Sequence, residues 1–96
     1  MQYNFEWDPK KAKANAVKHC VSFEQATEVF GDMLQMSIFD EEHSDTEDRW
    51  ITLGKTKKGI LLVVIHTFSE YKDGATIRII SVRKATKHEQ HQYEGS

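Results

Sequence analysis

The spacing of apolar residues changes twice along the chain. Between residues 23 and 30 apolar side chains recur three or four positions apart, which predicts a helix that ends near Gly31. From Leu34 the period becomes two, which is typical of strands, and from Thr86 the sequence becomes polar and helix-like again. The pattern therefore predicts helices at both ends of the chain and a sheet between them.

Each predicted helix begins at a residue that can cap its free N–H groups. In the capping box, a Ser or Thr is followed three residues later by Glu or Gln, and Pro is well tolerated at the first helical position. The three candidate starts are Asp8 before Pro9, Ser22 with Gln25, and Thr86 with Glu89.

Four segments read as strands: "LQMSIF", "RWITLG", "ILLVVIHTF" and "ATIRIISVR". The third is apolar on both faces, which favours a central position in the sheet. "SEYKDG" reads as a hairpin loop with Asp73-Gly74 as its turn signal. We therefore predict a single α+β domain over residues 1–96, with two N-terminal helices, a four-stranded antiparallel sheet and a C-terminal helix. The short connections favour an antiparallel meander, and we expect the helices to cover one face of it.

Charge is distributed unevenly, although the formal net charge is only −2. Residues 1–50 carry five Lys or Arg against eleven Asp or Glu, whereas residues 51–96 carry eight against four. The basic second half is compatible with binding of nucleic acid, and the acidic first half with a different partner. An ordinary solvated surface explains the asymmetry equally well at this stage.

The remaining composition indicates a cytoplasmic protein. A single cysteine, Cys20, cannot form an internal disulfide, which favours a reducing compartment. The longest apolar run, residues 60–65, is far shorter than the roughly 20 residues that a membrane span needs. The start of the chain does not resemble a signal peptide. We therefore expect neither membrane association nor secretion.

Two short motifs are weak candidates for chemistry. "HEQH", residues 88–91, places two histidines three apart, not four as in H-E-x-x-H, and no third ligand is evident. Cys20 follows Lys18 and His19, which could activate a thiol, but a lone cysteine near a helix end is more typical of a small buried side chain. We expect no metal and no cofactor.

His66, Arg78 and Arg83 have more potential. By alternation, His66 shares a face with Leu62, Val64 and Phe68, so it is either a core histidine or a proton-transfer group at an open strand end. Arg78 interrupts an apolar strand, and Arg83 would point to the opposite face unless a bulge near Ser81 brings the two together. Arginine binds phosphate with two parallel hydrogen bonds, and RNA cleavage needs cations, a base and an acid. Two Arg, a Lys and a His on one sheet face therefore suffice for metal-independent RNA cleavage, if the sheet brings them within reach of one scissile bond.

Taken in order, several segments resemble the BrnT family of toxins. "FEWDPKKAKANAVKHCVSFEQATEVF" resembles F-x-W-D-x-x-K, N-x-x-K-H-G-V-S-F and A-x-x-V-F. "HSDTEDRWITLGKTKKGILLVVIHT" resembles H-S, E-x-R, I-x-x-G and L-x-V-V-x-H-T, and "TIRIISVRKATKHEQHQY" resembles the family's last strand and helix. The resemblance extends from Phe5 to Tyr93. Cys20 replaces the family's glycine after K-H, and the loop between the last two strands is a few residues longer than usual.

The resemblance implies a RelE-like fold and a cytoplasmic ribonuclease that cleaves RNA without metal and stops translation. It also implies a BrnA-like antitoxin with a ribbon-helix-helix part, forming a 2:2 heterotetramer that reaches operator DNA only through the antitoxin. The slight acidity leaves an alternative, a weak or inactive toxin homologue that serves as the antitoxin-binding subunit of an autoregulatory complex. A stand-alone RNA-binding module is a third possibility.

The residues of interest fall into two groups. Those expected to act in catalysis are His66, Arg78 and Arg83, with His19 and Glu47 in reserve for acid–base chemistry. Those expected to bind RNA are Lys18, Arg49, Lys84, Lys87, Trp7 and Tyr93.

Overall fold

The computed structural model describes residues 2–95, which form an α+β domain, and the predicted class is confirmed. The helices are α1 (Pro9–His19), α2 (Phe23–Val29) and α3 (Lys87–Glu94). The strands are β1 (Gln2–Glu6), β2 (Met36–Phe39), β3 (Trp50–Lys55), β4 (Leu61–His66), β5 (Ser69–Tyr71) and β6 (Gly74–Lys84), and a 3₁₀ turn covers Glu41–His43.

The three helices begin directly after the predicted capping residues Asp8, Ser22 and Thr86. The Asp8 carboxylate accepts a hydrogen bond from the Lys10 N–H at 2.8 Å. Both capping boxes, Ser22 with Gln25 and Thr86 with Glu89, are complete. α1 ends at Cys20, whose backbone is left-handed with φ of 59°. That conformation suits glycine better than cysteine because a Cβ is crowded there.

The sheet has more strands than predicted and is mixed. Its order is β1-β6-β4-β3-β2, and β5 pairs in addition with the first residues of β6. The antiparallel part β2-β3-β4-β6 was predicted, but the four-strand count and the wholly antiparallel arrangement are wrong, because β1 pairs in parallel with residues 74–78 of β6.

The segment predicted as a hairpin loop contains β5, and its turn lies one residue earlier than predicted. Lys72 and Asp73 form the turn, and Gly74 is already the first residue of β6. A Cβ on Gly74 would lie 2.1 Å from the Gln2 carbonyl oxygen. The glycine is therefore required by the close approach of β1.

The helices lie on both faces of the sheet. α1 and α2 cover one face, and the main core lies between α2 and the strands β4 and β6. Its buried side chains are Phe23, Ala26 and Val29 of α2, Leu62 and Val64 of β4, and Ile77, Ile79 and Val82 of β6. α3 lies on the opposite face, where Glu89 and Gln92 border a depression together with Leu53 and Val63. The prediction that the helices cover a single face is therefore right for α1 and α2 and wrong for α3.

A bulge in β6 determines which way its arginines point. Ile65 pairs with Ser81 but His66 pairs with Ile79, so β6 has one extra residue, Ile80, at this point. Without a bulge, side chains five residues apart point to opposite faces. With it, Arg78 and Arg83 both lie on the face opposite α1 and α2, because Arg78 precedes Ile79 in the core and Arg83 follows Val82 in the core.

Candidate active site

Two arginines converge on one carboxylate at the end of the sheet where β4 finishes and β3 begins. Arg78 donates through Nη2 to Glu47 Oε2, and Arg49 Nη2 lies 3.8 Å from Glu47 Oε1. The Arg49 Nε is buried and has no hydrogen-bond partner within residues 2–95. A carboxylate between two guanidinium groups occupies a position that would equally suit a phosphate, because both anions accept parallel N–H bonds.

The surroundings of this pair are polar. A groove beside Arg78 is lined by hydroxyl, carboxylate and aromatic side chains, namely Glu6, Glu47, Asp48, Thr67, Phe68 and Ser69. Three of these are acidic, so the groove is not strongly positive. An RNA phosphate that took the hydrogen bond of the Arg78 Nη2 would have to displace Glu47.

A histidine that the sequence analysis did not single out borders the adjoining depression. Asp40, His43, Arg49 and Ser81 line it together. The His43 Nδ1 lies 3.0 Å from Asp40 Oδ2, and the imidazole is exposed. Since the Asp40 carboxylate can only accept, the Nδ1–H of a neutral His43 donates to it, and the Nε2 lone pair is left as a base. The only sequence signal for His43 was its place in the H-S motif.

His66 is a buried residue on the other face of the sheet. Its side chain lies among the core residues, and the residue is 3% exposed. Its Nδ1 donates to the Thr67 carbonyl at 3.0 Å, and its Nε2 lies 2.6 Å from the Thr52 hydroxyl. Burial lowers the pKa of His66, and the hydrogen bond to Thr67 opposes this only in part. The structure therefore does not bring His66 and the arginine side chains onto one surface. The environment of His66 is that of a core histidine, which was one of the two predicted alternatives.

Arg83 shares a face with Arg78 but binds elsewhere. Both of its terminal nitrogens donate to the Glu89 carboxylate at 2.8 Å, which joins β6 to α3. The pair raises the pKa of Arg83 and lowers the pKa of Glu89 to about 2, chiefly through these hydrogen bonds. Four to five residues of strand separate the Cα atoms of Arg83 and Arg78 by roughly 13–16 Å. Glu89 holds the guanidinium of Arg83 and Glu47 holds that of Arg78, so the two side chains are directed at different partners.

The other predicted RNA contacts are spread over the surface. Tyr93 donates to Asp32 and lies near Lys55, whose Nζ is 5.5 Å from the ring centroid. Trp7 packs edge-on against Phe23 at 5.9 Å between ring centroids. The three lysines predicted to bind RNA are exposed and lie near helix ends. Lys18 is in the last turn of α1, and Lys84 and Lys87 are close to the start of α3. His19 is half-buried in the last turn of α1, next to Lys18.

Metal ligands do not cluster within residues 2–95. No three His, Cys, Asp or Glu side chains of this part of the chain are placed to hold an ion. His88 and His91 are both exposed on α3.

A family model described as the ribonuclease toxin, BrnT, of type II toxin–antitoxin systems matches residues 7–89. The chain belongs to the BrnT family. The resemblance expected from the motifs is thereby confirmed, and with it a ribonuclease toxin of a type II system, which implies an antitoxin partner.

One solved structure supports the fold of this BrnT-family toxin. The crystal structure of the Brucella abortus ribonuclease toxin, BrnT, is similar with a TM-score of 0.59 and 24% sequence identity. The similarity covers 91% of this chain and 100% of the Brucella chain. No protein with a curated description matches the chain significantly. Within the described residues, no helix of the toxin has the length and apolar character needed to cross a membrane.

The H-S and E-x-R motifs of this BrnT-family toxin meet in one closed loop. The Ser44 hydroxyl donates to the Asp40 carbonyl and accepts the Arg49 N–H at 3.0 Å. The Asp40 N–H in turn donates to the Arg49 carbonyl at 2.8 Å. These bonds tie the loop that carries His43, Glu47 and Arg49 to the start of β3.

Proposed function

We propose that this chain is an endoribonuclease that cleaves RNA without metal at Arg78 and thereby inhibits translation in the cytoplasm. The observation that carries the proposal is the convergence of Arg78 and Arg49 on Glu47 at the open end of the sheet. Guanidinium groups bind phosphate and stabilise the negative charge that develops on it during cleavage. The family assignment supplies the substrate class, RNA.

Each component of the reaction has a candidate side chain. A phosphate displaces Glu47 from Arg78 and Arg49. The 2′-hydroxyl of the preceding ribose loses its proton to a base and attacks phosphorus. The P–O5′ bond then breaks, and the departing oxygen takes a proton. The products are a 2′,3′-cyclic phosphate and a 5′-hydroxyl.

His43 is better placed than His66 for one of the two proton transfers. It is exposed, its Nδ1 is held by Asp40, and it shares a depression with Arg49. Glu47, once released from the arginines, is the second candidate. His66 already uses both ring nitrogens in the core. The predicted role of His66 therefore depends on the kinetic test below, and that of His19 stays a prediction.

Single-turnover cleavage of a short RNA in excess EDTA tests the phosphate ligands. We expect Arg78→Ala and Arg49→Ala to slow cleavage about 10²-fold or more, by analogy with the loss of one oxyanion donor. Arg83→Ala is the matched control, since it also removes one paired arginine from the same face and should change the rate only severalfold. Full activity in both Arg78→Ala and Arg49→Ala would contradict the proposal, as would an equal loss in Arg83→Ala.

The same assay assigns the proton-transfer residue. His43→Ala should cost about 10²-fold or more, the typical contribution of general acid–base catalysis. His66→Ala should lower stability more than it lowers the rate of the folded fraction. If His66→Ala is folded and slow while His43→Ala is fully active, the assignment is reversed.

The antitoxin is the partner that the family implies. We propose a BrnA-like protein with a ribbon-helix-helix part that forms a 2:2 complex and binds operator DNA, with Lys18, Lys84 and Lys87 left for RNA. The excess of acid in residues 1–50 supports a basic partner surface on the antitoxin. Light scattering of the purified complex tests the stoichiometry, and a stable 1:1 heterodimer would contradict it.

One observation favours the alternative, a homologue that only binds its antitoxin. Internal carboxylates already pair with Arg78 and Arg83, and Glu6 and Asp48 also border the groove. Induced expression in a bacterial host, with and without the antitoxin, separates the two. Growth arrest that the antitoxin relieves supports the ribonuclease; no arrest with tight antitoxin binding supports the alternative.

A further inference from the structure

A cavity of about 380 Å³ opens at the same end of the sheet, on the face of α1 and α2. Four aromatic and four polar side chains line it: Tyr3, Phe30, Trp50, Phe68, Gln35, Ser37, His66 and Glu70. Phe68 also lines the groove beside Arg78, so the two sites adjoin across one aromatic ring. A nucleotide whose phosphate contacts Arg78 could therefore place its base in the cavity.

A chain of hydrogen bonds through His66, Thr52 and Ser37 determines which of these groups donate and which accept. The Thr67 carbonyl can only accept, so the Nδ1 of His66 carries the proton and the Nε2 of the neutral ring accepts. Thr52 must then donate its hydroxyl proton to Nε2, across 2.6 Å. Ser37 must in turn donate to Thr52, across 2.7 Å. The Ser37 oxygen is left with lone pairs alone for a ligand.

Gln35 and Glu70 also present hydrogen-bond acceptors to the cavity. The Gln35 Nε2 donates to the carbonyls of Phe30 and Asp32, at 3.0 and 3.2 Å, which leaves its Oε1 as the available atom. Glu70 is exposed and, when ionised, only accepts. The Tyr3 hydroxyl can donate or accept. The cavity therefore offers aromatic surface together with three acceptors, Ser37 Oγ, Gln35 Oε1 and the Glu70 carboxylate.

We infer that this cavity is the base-recognition subsite of the RNA substrate and that it selects a base with an exocyclic amine, guanine above all. Aromatic side chains stack on any base, so stacking on Trp50 or Phe68 provides affinity without choice. The acceptors provide the choice. Guanine carries two neighbouring donors, N1–H and N2–H₂, which match one carboxylate, whereas uracil has a single N–H flanked by two carbonyls that would face acceptors. The inference rests on the proposed function, since it takes RNA as the ligand.

Binding of oligonucleotides that cannot be cleaved tests the subsite separately from catalysis. The probes are labelled 2′-O-methyl tetranucleotides that differ at one base, measured by fluorescence anisotropy. We expect the guanine probe to bind at least about 10-fold more tightly than the uracil probe. Trp50→Ala should weaken all probes by about 5–150-fold, the equivalent of one stacked base.

Glu70→Gln is the decisive variant because Glu70 is exposed and the change leaves the fold intact. It should reduce the preference for guanine over uracil severalfold, whereas Glu24→Gln, at an exposed position on α2, should leave it unchanged. Equal binding of all probes, an unchanged preference in Glu70→Gln, or no binding of any probe would overturn the inference. So would variants that weaken the antitoxin complex and spare the probes, because the cavity would then accept a protein side chain. A guanine preference without cleavage would leave this inference standing and refute only the proposed activity.

Discussion

Asn15 replaces a strand along the part of β6 that β1 does not reach. β1 pairs with β6 only as far as Glu6 opposite Arg78. Beyond that point the Asn15 amide bonds both backbone groups of Val82, with Nδ2 donating to the carbonyl at 2.9 Å and Oδ1 accepting the N–H at 3.1 Å. A third bond, 3.5 Å long, reaches the Val21 carbonyl. The residue is 8% exposed, so water cannot replace these bonds.

Asn15→Ala should therefore destabilise the protein strongly. Two buried backbone groups lose their partners, at about 1–3 kcal/mol each, which gives about 2–6 kcal/mol in total. In a domain of this size about 1 kcal/mol shifts Tm by roughly 4–8 °C, so the expected loss is on the order of 10–50 °C. Urea unfolding followed by circular dichroism measures the free energy of unfolding directly.

Asn4→Ala is the matched control. Asn4 also makes a side-chain hydrogen bond, to the Tyr71 hydroxyl at 2.6 Å, but it is exposed and water replaces the lost bond. We expect a change of about 0.5 kcal/mol or less. The reasoning is refuted if Asn15→Ala costs less than about 1 kcal/mol, or if the two variants lose the same amount.

Three further predictions concern stability and titration. Cys20→Gly should raise the free energy of unfolding by about 0.5–1 kcal/mol, measured by urea unfolding, because it relieves the left-handed backbone at φ of 59°. Glu89 has a pKa of about 2, below its ordinary 4.5, so its pair with Arg83 stabilises the fold above pH 4.5 and is lost as the pH falls toward 2; Glu89→Gln should flatten that part of the stability–pH curve, and an unchanged curve would contradict the assignment. The hydrogen bond to Asp32 raises the pKa of Tyr93 to about 12. In an ultraviolet titration of the tyrosines, Tyr93→Phe should therefore remove the absorbance change that occurs near that pH. Loss of an absorbance change near pH 10 instead would show that the bond is absent.

The helices could be predicted because their signals are local. Asp8, Ser22 and Thr86 each contact a backbone group within three residues, so the sequence alone places them. The strand β1 could not be predicted in the same way. "QYNFE" is short and largely exposed, and its partner is β6, more than seventy residues away in the chain.

The candidate site was only partly predictable for a related reason. Arg78 stood out because it interrupts an apolar strand, but "RIISVR" fits a regular strand and a bulged one equally well, and only the pairing with β4 decides. The partner of Arg78, Glu47, lies in an irregular loop 31 residues earlier, which no periodicity describes. His66 follows the alternation of Leu62 and Val64, and that pattern correctly indicated a core environment as one of its two readings.

Metal-independent cleavage at Arg78 is best tested by the ends of the RNA products that the purified chain forms in excess EDTA. We expect a 2′,3′-cyclic phosphate and a 5′-hydroxyl, formed at least about 10²-fold more slowly by Arg78→Ala and at a nearly normal rate by Arg83→Ala. Cleavage that appears only when a divalent ion is restored, or that proceeds equally well in Arg78→Ala, would refute the proposed activity.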